Sequence, residues 1–167
     1  MNKAVKRMTL TALLAALTFV TTAFIHIPLP IGTGYFNLGD SVILFSAIFV
    51  DPFAGALVGI IGASFADIYV GAIEFVPFTI VAKLLEAVIA GYLFRTFKGK
   101  WSYTALYIGA LFIVPVYAVS YYIFFGQWAG VLANSPFDLL QAFVSAVIAT
   151  VLIVTLRKTK IRSLSDE

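Results

Sequence analysis

Residues 53–71 read FAGALVGIIGASFADIYVG, an apolar run whose one charged residue, Asp67, lies near its end. At 1.5 Å per residue a helix of this length spans about 29 Å, close to the roughly 30 Å hydrocarbon core of a bilayer. Gly55, Gly59, Gly62 and Ala66 fall on one stripe of that helix. Small residues let helices approach closely where lipid supplies no hydrophobic drive between them, so the stripe predicts internal packing. Asp51-Pro52 just ahead supplies an N-cap and a proline at the first helical position. Asp67 reads either as a satisfied polar group or as the edge of a pocket. The segment is a transmembrane helix.

The rest of the chain shares this character. Of 167 residues, 62% are apolar and 11% charged, and the mean hydropathy is +1.03. Soluble domains run about 45–50% apolar and about 25% charged. A water-soluble globular enzyme, a disordered chain, a coiled coil and a disulfide scaffold are therefore excluded. At about 20 residues per span the chain holds about six helices, with no room for a soluble ATPase or receptor domain. Zero cysteines leave no thiolate ligand and no thiol nucleophile.

Apolar runs at about 8–27, 38–50, 53–71, 77–95, 101–125 and 137–156 predict an all-α membrane bundle of six transmembrane helices, one domain over 1–167. Pro28 and Pro30 end the first run, Pro77 opens the fourth, and Ser135-Pro136 opens the sixth. Pro115 should kink the fifth. The second run, about 13 residues and about 20 Å, is short for a span. It must be tilted, shielded by protein, or extended through Tyr35–Asn37.

Charge placement orients the bundle. Lys3, Lys6 and Arg7 open the chain, Arg95, Lys98 and Lys100 sit together, and Arg157, Lys158, Lys160 and Arg162 close it. The connections 28–37, 72–76 and 126–136 hold no Lys or Arg. Cytoplasmic segments collect these residues, so both termini are expected in the cytoplasm, in a multi-pass protein of the cell membrane. The basic start, apolar run and Thr22-Ala23 also fit a signal peptide. The expectation is a retained first helix.

Residues able to carry chemistry are few. Lys83 and Glu86, three apart in the fourth run, share a helix face deep enough to need a partner or a polar cavity. Ser135 and Asp138 have capping-box spacing, whereas Gln141 and Ser145 continue that face inward without such an explanation. Tyr117 and Tyr121, one turn apart, fit an interfacial aromatic belt or a stacking wall for a flat heterocycle. The connection HIPLPIGTGYFNLGD (26–40), with Asn37 and Asp40, reads as a lid or as a helix cap. Thr9, Ala12 and Ala16 make a small stripe on the first helix, for internal packing or for docking a separate subunit. With His26 the only histidine, neither a metal site nor a Ser-His nucleophile is expected, and no phosphate-binding loop is present.

Together these features resemble the substrate-binding S components of energy-coupling factor (ECF) transporters. NLGDSVILFSAIFVDPFAGALVGIIGASFADI (37–68), KLLEAVIAGYLF (83–94) and PFDLLQAFVSAVIA (136–149) are similar to the branch associated with hydroxymethylpyrimidine and vitamin B6 compounds such as pyridoxine. The resemblance implies a vitamin bound by helices four to six and the outer loops, with Ala12 and Ala16 as the docking motif. It implies a membrane coupling subunit and two cytoplasmic ATPase subunits as partners, which use the ATP; this chain would hold no cofactor and meet no nucleic acid. Asn37, Asp40, Lys83, Glu86, Tyr117, Tyr121 and Gln141 are the pocket candidates from the physical reading. Two rivals remain at this stage: a structural subunit like rod-shape-determining membrane proteins, and a self-contained secondary carrier, for which no inverted repeat is evident.

Overall fold

The computed structural model describes residues 2–29 and 35–158. Residues 30–34, Pro30 among them, and Lys160 and Arg162 of the last basic cluster lie outside the described residues. Helix α1 (Lys3–Phe24) begins earlier than its apolar run, where Asn2 Oδ1 accepts from the Ala4 N–H at 3.2 Å. It also ends four residues ahead of Pro28. The reason is a short hairpin: β1 (His26–Pro28) pairs antiparallel with β2 (Tyr35–Asn37), His26 opposite Asn37. Pro28 is tolerated there because a two-stranded ribbon consists of edge strands. This hairpin is the departure from a purely helical fold among the described residues.

Helix α2 (Gly39–Phe49) is short because protein shields it: nine of its eleven residues are buried. It packs against α1, α3 (Pro52–Val70), α4 (Val76–Thr96) and α7 (Trp128–Lys158). Asp51 caps α3 as its sequence predicts, Oδ1 accepting from the Ala54 N–H at 2.9 Å. The small stripe of α3 does pack internally. A Cβ on Gly55 would meet Ala47 of α2 at 2.7 Å, and one on Gly62 the Ala15 carbonyl oxygen of α1 at 2.6 Å. One on Gly59 would meet Lys83 Cβ of α4 at 2.8 Å. That last close approach sets Lys83 against α3 at mid-bundle.

Between α3 and α4 the chain turns at Gly71, with φ of 86°, and passes through a 3-10 turn at Ile73–Phe75. After a second 3-10 turn at Gly99–Tyr103, the fifth run divides into α5 (Thr104–Leu111) and α6 (Ile113–Phe125). The break falls three residues before Pro115 for a steric reason. Proline has no N–H to offer the carbonyl four residues earlier, here Leu111, and its ring clashes with that carbonyl. Phe112 N–H turns instead to the Gly109 carbonyl at 3.1 Å.

The expected start of the sixth run at Ser135-Pro136 is corrected. Helix α7 already begins at Trp128 and carries Pro136 inside it. Burying Val131 beside Tyr121, Phe75 and Leu29 stabilises the extra turns. Ser135 is therefore not an N-cap, and Ser135 and Asp138 form no capping box.

Among the described residues, four helical stretches are long and apolar enough to cross a membrane: Lys3–Phe24, Pro52–Val70, Gly99–Phe125 and Trp128–Lys158. The described basic clusters gather at one end of the bundle. There Arg7 Nε meets Asp51 Oδ2 at 2.7 Å, Gly91 lies against Pro52, and the Arg157 guanidinium sits 5.1 Å from the Phe94 ring. The hairpin and the turns at Gly71 and Gly126 lie at the other end.

Candidate functional site

A charge inside an apolar bundle must be paired, and hydrogen-bonded as well, to offset its lost hydration. Asp40, Lys83 and Glu86 are at most 1% exposed. Asp40, in the first turn of α2, accepts from Lys83 Nζ at 2.5 Å through Oδ1 and from Gln141 Nε2 at 2.7 Å through Oδ2. Gln141 Oε1 accepts in turn from the Asn37 backbone N–H at 2.8 Å and from its side-chain amide at 3.5 Å. Asn37 Oδ1 completes the chain, accepting from the Gly39 N–H at 2.9 Å and Thr22 Oγ1 at 3.4 Å. Asn37, one residue ahead of the N-cap Leu38, thus both holds the first N–H of α2 and joins the network. One polar relay links α1, β2, α2, α4 and α7.

Lys83 and Glu86 do meet, but at 3.6 Å, so Asp40 is the nearer partner of the ammonium. Glu86 Oε1 has no hydrogen-bond partner among the described residues. Spacing within one helix can reveal an (i, i+3) neighbour and is silent about a partner 43 residues away.

Outward of this relay lies a cavity of about 20 Å³, room for about one water. Tyr117 and Tyr121 form one wall, with ring centroids 6.5 Å apart and an interplanar angle of 28°. Phe75 meets both edge-on, at 6.4 and 5.9 Å. The Tyr117 hydroxyl is 3.1 Å from Thr79 Oγ1, and Lys83 Nζ is 5.6 Å from the Tyr117 ring. Tyr121 donates to Asp138 Oδ1 at 3.1 Å. On the hairpin side Tyr35 donates to Asp67 Oδ1 at 2.5 Å, while the buried Oδ2 has no hydrogen-bond partner among the described residues, so Asp67 is a half-satisfied polar group at the pocket edge. Burial, and then the Asp67 carboxylate, raise the Tyr35 phenol well above its ordinary range, which keeps it a donor at physiological pH.

The structure thus brings Asn37, Asp40, Lys83, Glu86, Tyr117, Tyr121 and Gln141 to one region. Sequence reasoning missed Thr79, Phe75 and Asp138 as members of the wall. Thr79 had a signal, since it lies four residues before Lys83 on the same face of α4. Asp138 was hidden by its resemblance to a cap. His26 is exposed, its Nδ1 2.7 Å from the Ala23 carbonyl oxygen.

Ala12 and Ala16 lie elsewhere. Both are exposed, while Ala15, Thr18 and Thr22 on another face of α1 are buried. They line a groove of about 1250 Å³ between α1 and α3, together with Leu57, Ile61 and Phe65. Among the described residues, nothing covers them as internal packing would.

The family model described as the S component of ECF-type riboflavin transporters matches residues 2–158. The chain belongs to this S component family. It is a membrane protein, the substrate-binding subunit of an ECF transporter, and not an enzyme. The S component is 33% identical over 133 residues to an uncharacterized protein "in gap 3'region" of Pyrococcus woesei, covering 77% of this chain and 86% of that protein. Its fold matches the solved structure of the S component of a bacterial ECF transporter with a TM-score of 0.78 at 20% identity, covering 95% of this chain and 99% of that one. Membership sets aside the structural-subunit and secondary-carrier readings, and it implies association with an ECF module.

Proposed function

We propose that this S component captures a one-ring heteroaromatic alcohol, hydroxymethylpyrimidine or a vitamin B6 compound such as pyridoxine, from outside the cell. The observation that carries the reading is the Lys83–Asp40–Gln141–Asn37 relay set beside the Tyr117–Tyr121 wall. The aromatic wall supplies a face for a flat ring. The relay supplies donors and acceptors that can exchange their mutual bonds for bonds to ring nitrogens and hydroxyls. With about 20 Å³ free, the cavity must open to admit any vitamin, and a single ring requires the least opening. The family's description favours riboflavin as a second reading; its three fused rings require a larger displacement of the hairpin.

In this reading the chain crosses the membrane six times, through α1, α2, α3, α4, the α5–α6 pair and α7, with both termini in the cytoplasm. The gathering of basic residues at one end of the bundle supports that orientation. Ala12 and Ala16 dock a membrane coupling subunit driven by two ATPases, and the exposed α1–α3 groove supports it. The ATP is used by those partners.

Native mass spectrometry of the gently purified protein, with identification of any released molecule, tests the substrate. Retention of a pyridine or pyrimidine alcohol, or a mass shift with pyridoxine or hydroxymethylpyrimidine in a vitamin panel, is expected. A shift with riboflavin alone replaces the one-ring reading with the second. A mass that no vitamin shifts removes both.

A further inference from the structure

Around the cavity, acids outnumber bases. Asp40, Asp67, Glu86 and Asp138 are 1%, 4%, 0% and 5% exposed, and Lys83 is the cation among them. Lys83 is already committed to Asp40 at 2.5 Å and Glu86 at 3.6 Å. Asp67 also has a buried Oδ2 without a partner among the described residues, but its Oδ1 holds the short bond from Tyr35. Asp138 is less well provided. Its Oδ1 takes the longer bond from Tyr121, and its buried Oδ2 has no hydrogen-bond partner among the described residues. Asp138 also belongs to the cavity wall. A phenol alone is weak compensation for a buried carboxylate, whereas a cationic donor satisfies the orphan oxygen and balances the charge in one contact.

We infer that the S component selects a positively charged substrate, a heteroaromatic ring bearing a protonated amine, and that Asp138 is the carboxylate that receives it. Tyr121 ties the two halves of this site together. Its hydroxyl is bonded to Asp138, and its ring continues the wall begun by Tyr117. A flat ring against that wall therefore has Asp138 at its rim, bonded to the far ring's hydroxyl. The inference rests on the reading of this cavity as the substrate site. It adds a charge requirement that an alcohol alone does not meet.

Pyridoxamine and pyridoxine share one ring and differ by an ammonium against a hydroxyl on one methylene, which isolates the charge. Isothermal titration calorimetry of the purified, full-length protein in micelles at neutral pH should find pyridoxamine about tenfold or more tighter, as a charge-assisted bond is about twice as strong as a neutral one. Asp138→Asn should erase that preference, and Tyr121→Phe, which leaves the carboxylate in place, should keep it. Pyridoxine binding as tightly as pyridoxamine to the unmodified protein overturns the inference, whether or not Asp138→Asn folds. So does a folded Asp138→Asn protein that keeps the preference. Both of those results leave the one-ring reading standing, whereas binding of neither compound together with capture of riboflavin overturns both.

Discussion

Removing one partner of a buried ion pair strands the other charge in a medium that cannot hydrate it, at a cost of about 3–5 kcal/mol. Lys83 and Asp40 are such a pair, with side chains 2% and 1% exposed. Lys83→Met should therefore lower unfolding stability by about that amount, and the double change Lys83→Met with Asp40→Asn should recover much of it. Denaturant unfolding in micelles reads both; equal losses in the single and double variants would mean that the pair is not the source. Glu86 is placed differently, at 3.6 Å and second to Asp40. Glu86→Gln should weaken vitamin binding without unfolding the protein, because Lys83 keeps Asp40. Unchanged affinity by calorimetry would make Glu86 purely structural. The need of Lys83 for a partner was legible in the sequence, since an ammonium deep in an apolar helix cannot stand alone. Its identity was not, because Asp40 and Gln141 reach it across helices. Asp138 was misread for the opposite reason, its local spacing from Ser135 offering a sufficient but incorrect explanation.

At the scale of elements, apolar runs and small-residue stripes carried most of the information. The stripe on α3 reads as close packing from sequence, and Gly62 shows how tight that packing is. A Cβ there meets the backbone carbonyl oxygen of Ala15 at 2.6 Å and Thr18 Cβ at 2.7 Å. Backbone cannot rotate aside as a side-chain tip can, so α1 must shift. Gly62→Ala should destabilise by about 1–3 kcal/mol, the usual range for overpacking. A thermal-unfolding midpoint equal to that of the unmodified protein would show that α1 moves freely on α3. Three element boundaries were not legible, each for a physical reason. The break at Phe112 follows from steric action four residues back from Pro115 rather than at the proline. The early start of α7 comes from burying Val131 in a distant cluster. The hairpin depends on pairing across a connection whose apolar pattern predicts no strand.

The whole molecule presents two faces of α1 with different surroundings. Ala15, Thr18 and Thr22 are buried within the bundle, and Thr22 reaches the relay through Asn37. Ala12 and Ala16 are exposed on the α1–α3 groove, with exposed Leu57, Ile61 and Phe65 beside them. A stripe of small residues that none of the described residues covers lets a partner helix approach closely. The proposed substrate cavity is distinct from that groove, lined by Thr22 of α1 and by residues of α3, α4, α6, α7 and the hairpin. Blocking the groove should therefore uncouple transport from binding. Ala12→Trp combined with Ala16→Trp fills the groove with two large rings and touches no member of the relay. Vitamin affinity measured by calorimetry should be unchanged, whereas co-purification with the coupling subunit and vitamin uptake by cells should both be lost. Normal uptake by that variant would remove α1 as the docking face. Loss of binding along with uptake would instead mean that the two faces of α1 are mechanically coupled, with strain passing through Thr18 and Thr22 to Asn37.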